Sequence, residues 1–258
     1  MFMWNTLDTG KYYGMMAETV DIKDREGNDV RVYYSRPLNA ENVPGIVLIP
    51  HMPGWDELMW EFCRRFTQHG YAVVCPDIYR AFGHGKPTEV SSAARAAGGV
   101  YDKDVMSDVQ GAIDFLKSEP ASNGKVGVIG TCSGGRHTFL AACTLEGIDA
   151  AVDCWGGGVA VSKDQLKEQQ PVAPIDLVEN LSCPLLGIFG NDDGRPNVDE
   201  VNYTEEKLKE YHKDYEFHRY DGAGHGIWYY QGKMYRPEAA MDSWEKVLEF
   251  FEKHLNQE

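Results

Sequence analysis

The chain has 258 residues, enough for one large α/β domain, and 43% of them are hydrophobic, so it can bury a sizeable core. A formal net charge of −15 without any basic cluster disfavours nucleic acid and anionic membranes as partners. The first ten residues show no signal-peptide pattern, and no apolar run approaches the roughly 20 residues of a membrane span. Six scattered cysteines, without a C-x-x-C pair or zinc-ligand spacing, are typical of reduced thiols in a cytoplasmic protein.

The N-terminal part predicts an antiparallel edge on a parallel sheet. After a polar leader, residues 1–17, the segments 18–24 and 30–36 alternate in polarity around a turn sequence, as the two strands of a hairpin do. Residues 45–50 and 71–76 are instead continuously apolar, which is typical of strands buried on both faces of a parallel sheet.

The rest of the chain alternates helices with strands. We predict helices near 58–69, 105–116, 133–145, 198–213 and 237–255, and strands near 125–130, 148–155, 184–190 and 215–220. Residues 80–101 and 156–183 are weakly periodic and are interpreted as surface excursions, the first with at most one short helix near 91–97. This alternation predicts one α/β domain over 1–258, with a mainly parallel sheet and helices on both faces.

The sequence Gly130-Thr131-Cys132-Ser133-Gly134 has the spacing of a nucleophile elbow, with a thiol in place of a hydroxyl. Small flanking residues are needed because a strand turns sharply into a helix and exposes a strained central residue. The spacing selects Cys132, because a nucleophile at Ser133 would put Thr131 in a glycine position. Similar turns occur in dinucleotide-binding units, and buried cysteines are often core residues, so the motif alone leaves catalysis open.

Acid and base candidates follow two further predicted strands. Asp192 comes directly after the strand at 184–190, and His225 lies in a glycine-rich turn after the strand at 215–220. Functional groups gather at the C-terminal ends of parallel strands, so we expect these side chains to converge on the thiol. Nucleophile, acid and histidine in this order match α/β-hydrolase triads. Asp193 is the alternative acid, and we favour Asp192 for its distance from the strand end.

Several segments resemble the dienelactone hydrolase family of α/β-hydrolases. They are Tyr-Ala-Val-Val-Cys-Pro-Asp-Ile-Tyr (71–79), Gly-Thr-Cys-Ser-Gly-Gly (130–135), Phe-Gly-Asn-Asp-Asp (189–193), Ala-Gly-His-Gly-Ile (223–227) and the tail 235–244. The resemblance covers about 30–255 and implies the α/β-hydrolase fold.

The resemblance also implies a function. A Cys132, His225 and Asp192 triad would hydrolyse an ester or lactone through an acyl-thioester, without a metal or organic cofactor. The backbone N–H groups of Ser133 and Met52 would form the oxyanion hole.

Substrate-contacting residues are less defined. Family members that act on dienelactone have a glutamate beside the thiol, and His51 stands at that position here. His51 is therefore a candidate for lining the site, with loop bracing as the alternative. Arg80 and Arg136 are candidates for binding an anionic group of the substrate. Trp228 is a candidate for lining an apolar substrate pocket, and Tyr235 is a further candidate for contacting the substrate. Structural ion pairs and core packing are the alternative interpretations of these four.

Three functions stay open at this point. The favoured one is a cytoplasmic hydrolase of small-molecule esters or lactones. The same triad serves peptidases and amidases, although a thiol nucleophile and the lack of a gating domain disfavour them. A non-catalytic protein of this fold that binds a small ligand would have no need of all three triad groups.

Overall fold

One mixed sheet forms the centre of the protein. The computed structural model describes residues 14–256. Its strands are β1 (Met15–Lys23), β2 (Asp29–Pro37), β3 (Val43–Ile49), β4 (Ala72–Pro76), β5 (Ser122–Thr131), β6 (Ala150–Cys154), β7 (Leu185–Gly190) and β8 (Tyr215–Tyr220). They lie in the order β1-β2-β4-β3-β5-β6-β7-β8, and only the β1–β2 and β2–β4 pairs are antiparallel. The predicted mainly parallel sheet with an N-terminal antiparallel edge is confirmed.

Helices follow most of the strands. Within residues 14–256 they are α1 (Glu57–Gln68), α2 (Pro87–Ala96), α3 (Asp102–Ser118), α4 (Ser133–Thr144), α5 (Val198–Glu210) and α6 (Pro237–Leu255). In this part of the chain, none of them is both long and apolar enough to cross a membrane. All six cysteines are free thiols.

Helices cover both faces of the sheet, as predicted. In β3, Val47 and Ile49 join a core with residues of α3 and α4, whereas Ile46 and Leu48 join a second core with residues of α1 and α6. Successive strand residues point to opposite faces, so a strand buried on both sides must be apolar throughout. Each of these side chains is fully buried and contributes roughly 1.5–3 kcal/mol to folding.

Two sequence-based boundaries need correction. The predicted leader 1–17 falls largely on residues 1–13, outside the described residues, but Met15 already begins β1. In the excursion 80–101 the helix is longer than predicted and starts at Pro87, because proline suits the first turn of a helix. The excursion 156–183 contains two 3₁₀ segments, Lys163–Gln165 and Pro174–Asn180.

The candidate site residues lie at the C-terminal ends of the parallel strands. β3 and β5 are neighbours, as are β7 and β8, and all of them run parallel. The loop after β3 carries His51 and Met52, and Cys132 follows β5 directly. Asp193 follows β7, and His225 lies in the turn after β8. The four segments therefore face one another at a single edge.

Candidate active site

Cys132 occupies a strained nucleophile elbow between β5 and α4. Its φ of 57° and ψ of −121° are rare for a residue with a side chain and cost on the order of 1–3 kcal/mol. A Cβ added to Gly130 would lie 2.2 Å from the carbonyl carbon of Gly134, and one added to Gly134 would lie 2.2 Å from the carbonyl oxygen of Ile49. The glycines are therefore required by close backbone contact, and the thiol is left partly exposed.

His225 connects the thiol to a buried carboxylate. Its Nδ1 lies 2.9 Å from Oδ2 of Asp193, and the ring also forms a hydrogen bond with the thiol of Cys132. Because a carboxylate can only accept, Nδ1 carries a proton and the other ring nitrogen faces the sulfur. Asp193 is 8% exposed, and its second oxygen accepts the N–H of Arg195 at 2.8 Å. These contacts fix both the carboxylate and the imidazole.

The preference for Asp192 over Asp193 is wrong. Asp192 is exposed, and its backbone N–H donates to the carbonyl of Ala223 at 2.9 Å. The next N–H, that of Asp193, closes a turn onto the carbonyl of Gly190. This turn directs the side chain of Asp193, one residue further from the strand end, towards His225. The distance along the chain is a poor guide because residues 190–193 form a turn, and the side chain at its end, not the one inside it, faces His225.

The electrostatics favour a charged thiol and imidazole pair. Burial raises the pKa of the Cys132 thiol, but the hydrogen bond and charge of His225, together with the backbone N–H groups of Ser133 and Met52, outweigh it and bring the pKa below the ordinary 9.0. Burial lowers the pKa of His225, yet its bonds to Asp193 and Cys132 raise it to about 10. Between these two pKa values the site holds a thiolate beside an imidazolium.

Two backbone donors converge on the sulfur. The N–H groups of Met52 and Ser133 both hydrogen-bond to Cys132, so a carbonyl oxygen brought to the thiolate would meet the same two donors. The Met52 carbonyl in turn accepts the hydroxyl of Tyr79 at 2.9 Å. Burial and the neighbouring Cys132 raise the pKa of Tyr79 to about 12, so this hydroxyl keeps its proton and remains a donor.

His51 lies beside the site but is not available to a substrate. It is 3% exposed, and both ring nitrogens are occupied, Nε2 by Asp56 at 2.9 Å and Nδ1 by the hydroxyl of Tyr229 at 3.0 Å. The prediction that it contacts substrate is therefore wrong, and the alternative of a bracing histidine describes its contacts.

Both candidate arginines are paired with carboxylates. Arg136 is 4% exposed and forms a bidentate pair with Asp102, at 2.7 and 2.9 Å. Arg80 pairs with Asp108 at 2.8 Å and with Asp24 at 3.0 Å. Each arginine neutralises a carboxylate that burial would otherwise destabilise. The prediction is wrong for the buried Arg136, whereas for Arg80, whose side chain is 29% exposed, it stays a prediction.

Of the two remaining candidates, Trp228 belongs to the core. It is 0% exposed, its Nε1 donates to Oγ of Ser243 at 2.8 Å, and its ring packs on Trp155 and Trp244. The prediction that it lines a substrate pocket is wrong. Tyr235 is partly buried against the same core, and its role as a substrate contact stays a prediction.

Sequence reasoning missed the side chains that support the site. Tyr79, Asp56 and Tyr229 contact the loop after β3, yet no local motif marks them as functional. Tyr79 and Tyr229 were visible only as parts of apolar, aromatic segments. Within residues 14–256, no three His, Cys, Asp or Glu side chains form a group that could hold a metal ion.

Comparison with known proteins places the chain among hydrolases. A sequence model of the dienelactone hydrolase family matches residues 30–255. An Escherichia coli (strain K12) protein named "Putative carboxymethylenebutenolidase" is 26% identical over 234 residues, which cover 89% of this chain and 84% of that protein. A Bradyrhizobium protein named "Probable 2-oxo-3-(5-oxofuran-2-ylidene)propanoate lactonase" is 26% identical over 239 residues, which cover 92% of this chain and 94% of that protein.

A solved structure agrees in fold along nearly the whole chain. The "Crystal Structure of Putative Dienelactone Hydrolase from Klebsiella pneumoniae subsp. pneumoniae MGH 78578" superposes with a TM-score of 0.84 at 26% sequence identity. The match covers 92% of this chain and 98% of that chain.

Proposed function

The chain belongs to the dienelactone hydrolase family, and from that membership we propose that it hydrolyses a carboxylic ester or lactone with Cys132 as the nucleophile. The observation that carries the proposal is the hydrogen-bonded series Cys132, His225, Asp193 at a strained elbow, with the N–H groups of Met52 and Ser133 on the sulfur. A protein that only binds a ligand has no use for a strained thiol in this setting.

Acylation starts from the thiolate. The Cys132 sulfur attacks the carbonyl carbon, and the electron pair of the C=O bond moves to the oxygen, where the N–H groups of Met52 and Ser133 stabilise the negative charge. When the C=O bond reforms, the C–O bond to the alcohol breaks, and the departing oxygen takes the proton of the His225 imidazolium. An acyl-thioester on Cys132 and a neutral imidazole remain.

In deacylation His225 first accepts a proton instead of donating one. His225 takes a proton from water, and the resulting hydroxide attacks the thioester carbon. The tetrahedral intermediate then expels the Cys132 thiolate and releases a carboxylic acid, while the imidazolium is restored beside Asp193. One ester and one water thus yield one acid and one alcohol. In a lactone the alcohol stays attached to the acyl group.

The substrate class rests on the relatives. The names of the E. coli and Bradyrhizobium proteins, a carboxymethylenebutenolidase and a lactonase, support a ring ester. The two arginines predicted to bind an anionic group are both paired with carboxylates, which favours neutral esters among the candidates. Six free thiols support a reducing compartment, and we propose the cytoplasm.

The test is a substrate panel with a matched cysteine control. The purified protein is assayed on aryl esters, lactones and amides, before and after treatment with iodoacetamide, beside Cys132→Ala and Cys143→Ala. Cys143 lies in the same helix, α4, and is buried. We expect ester or lactone hydrolysis that iodoacetamide and Cys132→Ala abolish and Cys143→Ala leaves intact. Preference for amides would favour a peptidase, and activity that survives in Cys132→Ala would refute the mechanism.

A further inference from the structure

Several hydrogen bonds hold the loop between β3 and α1. Nε2 of His51 donates to Oδ2 of Asp56, and the other oxygen of Asp56 accepts the N–H of Met59 and so caps α1. The carbonyl of His51 accepts the N–H of Gly54 at 2.8 Å. His51 is therefore fixed through its ring to the N-cap of α1 and through its backbone to Gly54 of the same loop.

The other side of the His51 ring is held by Tyr229. The hydroxyl of Tyr229 lies 3.0 Å from Nδ1, the two rings pack edge to face at 5.2 Å, and the same hydroxyl lies within hydrogen-bond distance of Oγ1 of Thr131, at 3.1 Å. Thr131 is the residue before the nucleophile. Tyr229 also packs beneath the His225 turn, since a Cβ on Gly226 would lie 2.5 Å from its ring. One hydroxyl thus links three segments of the active site.

The position of Met52 depends most on this support. Its N–H is one of two donors at the sulfur, but its own side chain is 43% exposed and anchors it weakly. The Met52 peptide is instead held from both sides. The preceding residue, His51, is fixed by its own hydrogen bonds, and the hydroxyl of Tyr79 holds the Met52 carbonyl at 2.9 Å. The direction of the N–H depends on both anchors.

We propose that His51 is a positioning residue. Held by hydrogen bonds to Asp56 and Tyr229, it orients the Met52 N–H towards the oxygen that becomes negatively charged during acyl transfer. The inference rests on the proposed function, because that charge forms only if an acyl group is transferred. His51 acts through the peptide bond and not on the substrate. Loss of one oxyanion donor lowers kcat by about 10²–10³-fold in other hydrolases, so a misaimed donor should cost about 10–100-fold.

The test compares two reactions of the same thiol. Hydrolysis of an aryl acetate forms an oxyanion, whereas alkylation by iodoacetamide displaces iodide and forms none. We expect His51→Gln to lower kcat for the acetate about 10–100-fold at nearly constant KM, and Tyr229→Phe about 5–20-fold. On the alkaline plateau of the pH profile, where the thiol is fully ionised in every variant, both variants should keep the alkylation rate of Cys132 within about threefold. Tyr230→Phe, on a neighbouring exposed tyrosine, is the control and should match the unaltered protein.

The outcomes are distinct. A His51→Gln variant with full hydrolysis overturns the inference, as does a variant in which hydrolysis and alkylation fall together, because general damage to the site would lower both. Tyr229→Phe removes one hydroxyl and keeps the ring, so it carries the test if His51→Gln does not fold. If the unaltered protein alkylates but hydrolyses no ester, the proposed function itself fails, and the inference with it.

Discussion

Replacing Asp193 with asparagine tests the triad most sharply, since the shape is kept and the charge is lost. Burial lowers the pKa of His225, but its bonds to Asp193 and Cys132 raise it from 6.5 to about 10. The hydrogen bond to Asp193 is the largest of the contributions that raise it, and a rise of this size corresponds to stabilisation of the imidazolium by several kcal/mol. Losing the carboxylate lowers the equilibrium constant for forming the thiolate–imidazolium pair by roughly one to two orders of magnitude. An amide also permits the wrong histidine tautomer, so we expect kcat/KM to fall about 10²–10³-fold.

The pH dependence of the same variant shows the direction in which the Cys132 pKa changes. Without the carboxylate the imidazolium is less stable and the Cys132 pKa rises, so the acid limb of the kcat/KM profile moves to higher pH. The profile is measured on an aryl ester for Asp193→Asn and for the matched control Asp192→Asn. Asp192 is exposed, and its variant should stay within about twofold of the unaltered protein. A large loss in Asp192→Asn, with Asp193→Asn nearly unaffected, would refute the assignment.

Three further predictions concern the thiol, the elbow and the buried ion pair. The rate of Cys132 alkylation by iodoacetamide, measured against pH, should have its midpoint below 9.0, and a midpoint at or above that value would contradict the charged pair. Gly134→Ala should lower the free energy of unfolding in urea by more than about 3 kcal/mol, whereas Gly85→Ala, where the added Cβ makes only ordinary contacts, should change it by less than about 1 kcal/mol. Arg136→Met removes the bidentate partner of the buried Asp102 and leaves it only the contact with His137, which should cost up to about 3–5 kcal/mol of stability, while kcat/KM per folded molecule stays the same for anionic and neutral esters. A selective loss on anionic esters would instead restore Arg136 as a substrate contact.

The sheet and the sharp turn that carries Cys132 could be predicted because their physical requirements are local. A strand buried on both faces has no position for a polar side chain, so residues 45–50 are recognisable from their apolar sequence alone. The elbow needs glycines wherever backbones touch, and the contacts of Gly130 and Gly134 are of this kind. That side chains after β5, β7 and β8 lie close together could be expected because the C-terminal ends of parallel strands meet at one side of the sheet.

The errors arise where the decisive partner is distant in sequence. Arg136 and Asp102 are 34 residues apart, and nothing local to either shows that they pair. The choice between Asp192 and Asp193 depends on a turn whose hydrogen bonds to neighbouring loops set the direction of each side chain. His51 was noticed only because of the family resemblance, and its role depends on partners that the resemblance did not supply.

Trapping the acyl-enzyme is the most direct test of Cys132 as a covalent nucleophile. The protein is mixed with an aryl acetate, quenched in acid within one turnover and examined by intact and peptide mass spectrometry. We predict one acetyl group per chain, on the peptide that contains Cys132, removable by hydroxylamine, and absent from Cys132→Ala. Ester turnover without acylation of Cys132, or with the acetyl group on another residue, would contradict the mechanism.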